Sequence, residues 1–102
     1  MNKDPLLAQK VREVLALLEH ISPGKSVELR IPPYGAIQCV AGSNHKRGTP
    51  PNTVEMSGKT LIKLINQPTL WHSLCEVGEI QASGVSSDLS TTFTKAAAKY
   101  LA

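Results

Sequence analysis

A pair of prolines, Pro32 and Pro33, separates two segments that each have the pattern of a β-strand. In residues 26–31, SVELRI, polar and apolar residues alternate, which is typical of a strand with one buried face. Residues 34–42, YGAIQCVAG, are rich in β-formers and have only Gln38 as an internal polar residue. Because proline cannot donate to a strand ladder, the first strand must end at the pair. The sequence therefore predicts a β-hairpin whose second strand is the more central one.

Residues 5–20, ahead of the hairpin, have the apolar spacing of an amphipathic helix. Asp4 is suited to cap free backbone N–H groups, Pro5 fits a first helical turn, and the turn-forming residues 22–24 end the helix. The apolar residues that share one face are Leu7, Val11, Val14, Leu15 and Leu18.

Residues 43–52, SNHKRGTPPN, contain no aliphatic side chain and are dense in turn formers, so they predict a loop. The elements predicted after it are a strand over 52–57, a helix capped by Ser57, a short helix from Pro68 to Gly78, a strand over 79–84 and a helix from Ser86 to the C-terminus.

This order of elements predicts an α+β fold. So few strands favour a small, twisted, mainly antiparallel sheet of four to five strands, covered by helices on one face. The helical crossover between Ser57 and Glu79 allows the last strand to run parallel to a neighbour. Because 102 residues is the usual length of one domain, we expect a single domain over 1–102.

Positive charge is concentrated in the middle of the chain, where no acidic residue occurs between Glu28 and Glu55. Two cations, a glycine and a hydroxyl in residues 45–49 predict an anion-binding turn, with a solvated basic loop as the alternative interpretation. The candidate anion-binding residues are Arg30, His45, Lys46, Arg47 and Thr49. A net charge of +3 with 4% aromatic residues does not predict a nucleic-acid-binding module.

The residue types that catalysis requires are not arranged in a recognisable set. Cys39 and Cys75 have apolar neighbours and no metal-like or redox-like spacing, which predicts buried, reduced thiols. His72 stands near Cys75 on an apolar helix, where the thiol is expected to pack rather than react. We therefore expect no catalytic residue, metal or cofactor, and a protein that is not an enzyme; a hidden acid–base site at His45 is the enzymatic alternative.

No apolar run approaches the length of about 20 residues that a membrane span requires. The N-terminal segment is interrupted by charges where a signal peptide has an apolar centre. These features predict a cytoplasmic protein without an integral membrane segment.

The two short helices after Ser57 carry a dense set of large apolar side chains, including the single tryptophan. Such a set forms either part of a filled core or the wall of an apolar pocket between helices and sheet. The candidate pocket residues are Leu61, Leu64, Ile65, Leu70, Trp71 and Leu74.

Three segments resemble the sterol-carrier-protein family, and in particular its small actinobacterial branch. They are RIPPYGAIQCVAG, HKRGTPPNTVEMSGKTLIKLI and WHSLCEVGEIQASGVSSDLS, which lie within about residues 10–93. The stretch RGTPPNTVE is specific for the bacterial branch. Residues 78–84 match the more widespread pattern G-x-(I/V)-x-(A/I)-x-G.

This resemblance implies an α+β domain with a twisted sheet covered by helices around an apolar cavity for lipids, acyl chains or sterols. The leading hypothesis is therefore a non-enzymatic carrier of a lipid or acyl-type ligand, whose tail lies among the pocket residues and whose anionic head group, where present, lies at the basic residues. The alternative is a protein-interaction module on the same fold, with a filled core and a partner protein docked at a sheet edge or at the basic loop.

Overall fold

The computed structural model describes residues 4–42 and 52–102. The α-helices in these ranges are α1 (Pro5–Ile21), α2 (Gly58–Asn66), α3 (Trp71–Glu76) and α4 (Ser90–Tyr100), and a 3₁₀ helix (Pro68–Leu70) precedes α3. The strands are β1 (Val27–Ile31), β2 (Gly35–Cys39), β3 (Asn52–Met56) and β4 (Ile80–Ser83). The predicted α+β class is confirmed.

The strands form one sheet in the order β2-β1-β3-β4. β1 and β2 pair antiparallel from Val27 opposite Cys39 to Ile31 opposite Gly35, which confirms the hairpin. The expectation that the second strand is the more central one is wrong, because β1 also pairs with β3 whereas β2 lies at the outer end of the sheet order. A high content of β-formers does not report how many neighbours a strand has.

The sheet is mixed, and its parallel pair is β1 with β3. β2 returns the chain to the end of the sheet where β1 begins, and β3 starts there, with Asn52 opposite Val27. β4 runs antiparallel to β3, so the parallel arrangement that the helical crossover allowed for the last strand does not occur. The physical reason is that α2, the 3₁₀ helix and α3 lead out and back to the same end of the sheet, where Ile80 faces Met56.

One face of the sheet is apolar and packs against the helices. Val27, Leu29 and Ile31 of β1 are fully buried, and they belong to one connected core with the buried residues of all four α-helices. The residues that alternate with them point to the opposite side, which we call the open face. The strand register places on the open face Glu28, Arg30, Ala36, Gln38, Thr53, Glu55, Gln81 and Ser83.

Local hydrogen bonds explain where the helices begin. The Asp4 carboxylate accepts from the N–H groups of Leu6 and Leu7 at 3.0 and 3.3 Å, and the Ser57 hydroxyl accepts from Thr60 at 3.1 Å. Both caps were predicted. The last helix begins at Ser90 rather than at Ser86.

The later start of α4 follows from a turn ahead of it. The Ser87 hydroxyl and N–H both donate to the Gly84 carbonyl, at 2.8 and 3.3 Å, and the Ser86 N–H donates to Asn52. These polar groups have partners outside a helix, so residues 86–89 do not join α4.

No helix in the described parts of the chain combines the length and apolarity that crossing a bilayer requires.

Candidate functional site

The six predicted pocket residues lie together in the core between the sheet and the helical layer. Leu61, Leu64 and Ile65 are fully buried on α2, and Trp71 and Leu74 are buried on α3. Leu70, in the 3₁₀ helix, is half-buried and packs against the same core. The structure thus brings the set together, while its contact with a ligand stays a prediction.

Helix α4 completes this apolar region, which the sequence analysis did not include in the site. Phe93 is fully buried, and its ring centroid lies 6.1 Å from that of Trp71 at a tilt of 35°. Leu89 is also buried in the same core. The helical spacing of Leu89 and Phe93 placed them on one apolar face, but only the packing of α4 against the 3₁₀ helix shows that Phe93 adjoins Trp71.

The part of the helical layer nearest Trp71 consists of two short helices. The 3₁₀ helix has three residues and α3 has six, and neither begins with a side-chain cap hydrogen bond. Short helices without caps depend on tertiary packing for their stability. We call the 3₁₀ helix and α3 the short helical cover, and its stability depends on the packing of Leu70, Trp71 and Leu74 against the core.

Arg30 is exposed on the open face, where its charge has a partner. Its Nε and Nη2 atoms donate to Glu28 Oε1 at 3.1 and 2.9 Å. This hydrogen bond and the Glu28 charge raise the pKa of Arg30, and the Glu55 charge adds to that effect. An anion at Arg30 would have to compete with Glu28.

The other predicted anion-binding residues, His45, Lys46, Arg47 and Thr49, lie outside the described residues. The described chain stops at Gly42 and resumes at Asn52, which pairs with Val27 at the start of β1. Arg30 lies three residues further along β1, a distance of about 10 Å for extended chain. The described ends of the loop are therefore nearer to the start of β1 than to Arg30.

The structure also contains a groove that the sequence analysis missed. It has a volume of about 260 Å³ and lies at the end of the sheet where β1 and β3 finish and β4 begins. Its lining residues are Pro32, Glu55, Met56, Ser57, Gly78, Glu79 and Gln81. Only the strand order brings these three segments together, so no local sequence pattern marks the groove.

Glu79 is held in this groove by side chains from α2. The Thr60 hydroxyl donates to Glu79 Oε1 at 3.2 Å, and Lys63 Nζ lies 3.5 Å from the same oxygen. In the described parts of the chain, the Glu55 carboxylate makes no hydrogen bond or ion pair. The groove therefore presents two carboxylates, and its lining includes no basic side chain among the described residues.

The two thiols lack the electrostatic setting of a nucleophile. Burial raises the pKa of Cys39 to about 11, with a smaller effect of Glu19. Burial and the nearby Asp88 charge also raise the pKa of the half-buried Cys75. Both thiols therefore stay protonated at neutral pH, whereas a nucleophilic cysteine needs a lowered pKa.

Over residues 4–42 and 52–102, no cluster of three or more His, Cys, Asp or Glu side chains is suited to bind a metal ion.

Comparison with known proteins identifies the family. The family model described as bacterial SCP ortholog matches residues 4–94, and no curated protein matches the chain. Members of SCP-like families are generally non-catalytic carriers, and the family suggests a lipid-carrier role at a coarse level. The four α-helices and mixed four-stranded sheet of the described residues are consistent with an SCP-like fold. Because the match covers most of the sequence, the chain belongs to the bacterial branch of the SCP-like, or sterol-carrier-protein-like, family.

Proposed function

We propose that this protein is a non-enzymatic binding or carrier protein for a hydrophobic ligand of the lipid or acyl type. The observation that carries the proposal is the position of the six candidate pocket residues. Three of them on α2 and three on the short helical cover form one continuous apolar region. Displacement of this cover would expose enough apolar surface to bind an acyl chain by the hydrophobic effect.

The proposed route for the ligand follows from the same cover. Leu70 is the half-buried member of the set, so it lies nearest to solvent. An acyl tail would enter beside Leu70 and pass toward Trp71 and Leu74. The 3₁₀ helix and α3 would move as the tail enters, because they are the short and uncapped elements of the layer.

An anionic head group is the second part of the proposal. His45, Lys46, Arg47 and Thr49 would hold it through charge-assisted hydrogen bonds. Arg30 would contribute only after exchanging its bond to Glu28 for one to the ligand. We assign Arg30 the smaller role for this reason.

The first test compares oleate with oleyl alcohol, which have the same chain and differ in charge. Trp71 is the single tryptophan and is buried beside the proposed tail site, so its fluorescence reports binding. The expected result is saturable, stoichiometric binding of both ligands with a change in Trp71 emission. If neither ligand binds, the carrier proposal is wrong.

The tail site is tested by Leu70→Gln. This change should weaken oleate and oleyl alcohol to the same degree, by about tenfold, because both tails lose one apolar contact surface. Leu101→Gln is the matched control, since Leu101 is 55% exposed and lies beyond α4. Equal losses of ligand affinity in the two variants would show that Leu70 is not part of the tail site.

The head-group site is tested by the double change Lys46→Ala and Arg47→Ala. Oleate affinity should fall about fivefold, the effect of losing exposed charge pairs of up to about 1 kcal/mol, while oleyl alcohol affinity stays constant. The matched control is Lys10→Ala with Arg12→Ala, which removes two exposed cations from α1. A similar fall for both ligands would contradict the head-group assignment.

A second candidate function is a protein-interaction module with a filled core. It is favoured by the full burial of Leu61, Leu64 and Phe93, which is typical of a filled core. Mass spectrometry of an organic extract of the purified protein separates the two functions, because a stoichiometric lipid supports the carrier and its absence favours the module.

A further inference from the structure

The outer edge of β4 is open to a further strand. Within the described residues β4 is at one end of the sheet order and pairs with β3 alone. Alternate residues of such a strand point their N–H and C=O groups away from the sheet. The register is continuous from Ile80 to Ser83, so β4 has no bulge, and its sequence IQAS has no proline or lysine. Bulges, prolines and lysines usually protect an edge strand from pairing, and β4 has none of them.

Exposed apolar side chains lie just beyond both ends of β4. Val77 precedes the strand and is 68% exposed, and Val85 follows it and is fully exposed at 103%. Large apolar side chains at such exposure are usual as single residues, but here they bracket one unpaired edge. Both stand within three residues of the strand, so a partner segment longer than β4 would come near them.

The charge beside this edge is negative. Gln81 points to the open face and pairs with Glu55 of β3, while Glu79 lies in the turn just before β4. The two carboxylates line the same groove. Glu79 lies 3.5 Å from Lys63, which is half-exposed, and Arg30 of β1 stands opposite Glu55 in the strand register but bonds to Glu28.

We propose that the outer edge of β4 binds an extended segment of a partner protein as an added strand, with a lysine or arginine of that segment over the groove at Glu55 and Glu79. The backbone edge supplies the pairing, the two valines supply apolar contact, and the carboxylates select the basic side chain. This inference does not rest on the proposed lipid binding, because none of the six candidate pocket residues lines the groove.

A second copy of this chain is the other possible occupant, and the charges disfavour it. The segment Glu79–Ser83 has an acidic residue and no basic one. Two such edges would therefore bring no cation to the carboxylates of Glu55 and Glu79. A basic partner segment satisfies them, which is why we assign the edge to another protein.

The test uses a capped seven-residue peptide of alternating Thr and Val with a central Lys, and a matched peptide with a central Glu. Amide chemical shifts of the ¹⁵N-labelled protein report the position of binding. The expected shifts are confined to Glu79–Val85 and the neighbouring residues of β3, and the Lys peptide should bind at least about threefold more tightly, as one exposed charge pair allows.

Variants separate the charge from the edge. Glu55→Gln should weaken the Lys peptide about threefold and should not weaken the Glu peptide, whose repulsion it relieves; Glu55 makes no described bond whose loss would disturb the fold. Gln81→Lys should weaken the Lys peptide further, because it places a cation beside Glu55. Glu76→Gln is the matched control on α3, where the acid is exposed and outside the groove, and it should have no effect.

A third peptide, N-methylated at successive residues, cannot donate hydrogen bonds from either of its edges and should bind more weakly. Equal binding of the methylated peptide, shifts located elsewhere, or no shifts at millimolar peptide would each overturn the proposal. If the unchanged protein self-associates in sedimentation experiments and Gln81→Lys abolishes this self-association, the edge binds a second copy of the chain instead. The Gln81→Lys variant should bind oleate as tightly as the unchanged protein does. A failure of the strand-pairing proposal is therefore distinguishable from a failure of the carrier proposal.

Discussion

Asn52 joins three segments of the chain through one buried amide side chain. Its Nδ2 atom donates to the Ser26 carbonyl and its Oδ1 atom accepts from the Ser86 N–H, each at 2.9 Å. The side chain therefore ties the start of β3 to the residue before β1 and to the turn after β4. Sequence patterns identify Asn52 only as a loop or strand-end residue, because both partners are distant along the chain.

We predict that Asn52→Ala lowers the free energy of unfolding by about 2–4 kcal/mol, because it leaves two backbone groups without partners. Urea denaturation followed by circular dichroism measures the change. Asn66→Ala is the control, since the Asn66 amide is exposed and bonds only to Ile62 in its own helix. It should cost less than about 0.5 kcal/mol, and similar losses for the two variants would contradict the bridging role of Asn52.

At the scale of elements, α4 depends on a carboxylate placed just ahead of it. Asp88 Oδ1 accepts from the Ser90 N–H at 2.8 Å. Hydrogen bonds from the Ser90 side chain and backbone lower the pKa of Asp88 from its usual 3.8. A depressed pKa in the folded state means that this contribution to stability is fully present above about pH 3.8 and is lost as the pH falls through the folded value.

We therefore predict a pH-dependent effect of Asp88→Ala. At pH 7 it should destabilise the protein by about 1 kcal/mol, the usual value for a lost cap, and the difference from the unchanged protein should shrink below pH 3.8. Asp88→Asn is the control, because its amide oxygen accepts the same bond without titrating. Urea unfolding at pH 7 and pH 2.5 measures both variants, and a constant deficit for Asp88→Ala at the two pH values would contradict this role for the carboxylate.

At the scale of the whole molecule, one core connects the sheet with all four α-helices. The Cα radius of gyration is 12.9 Å, close to the value of about 13 Å for one compact domain of this length. We predict a single cooperative unfolding transition, in which Trp71 fluorescence and far-ultraviolet circular dichroism coincide. Two separate midpoints would contradict the prediction of a single domain over 1–102.

The sequence by itself determined the kinds and order of the elements. The first helix, the hairpin and both caps depend on interactions between residues only a few positions apart, such as Asp4 with Leu6 or Ser57 with Thr60. Apolar periodicity likewise identified the core, because burial of one face is a property of each element. The motifs also indicated the family, which the match over residues 4–94 confirms.

Only the tertiary structure decided which strands are neighbours and what the sheet exposes. The central position of β1, its parallel pairing with β3 and the free edge of β4 depend on where the connections lead, which local patterns do not encode. The same strand order brings Glu55 and Glu79 into one groove, although 24 positions separate them. Pairing between distant segments is determined by the packing of the entire core, and for this reason the edge and the groove appear only in the folded molecule.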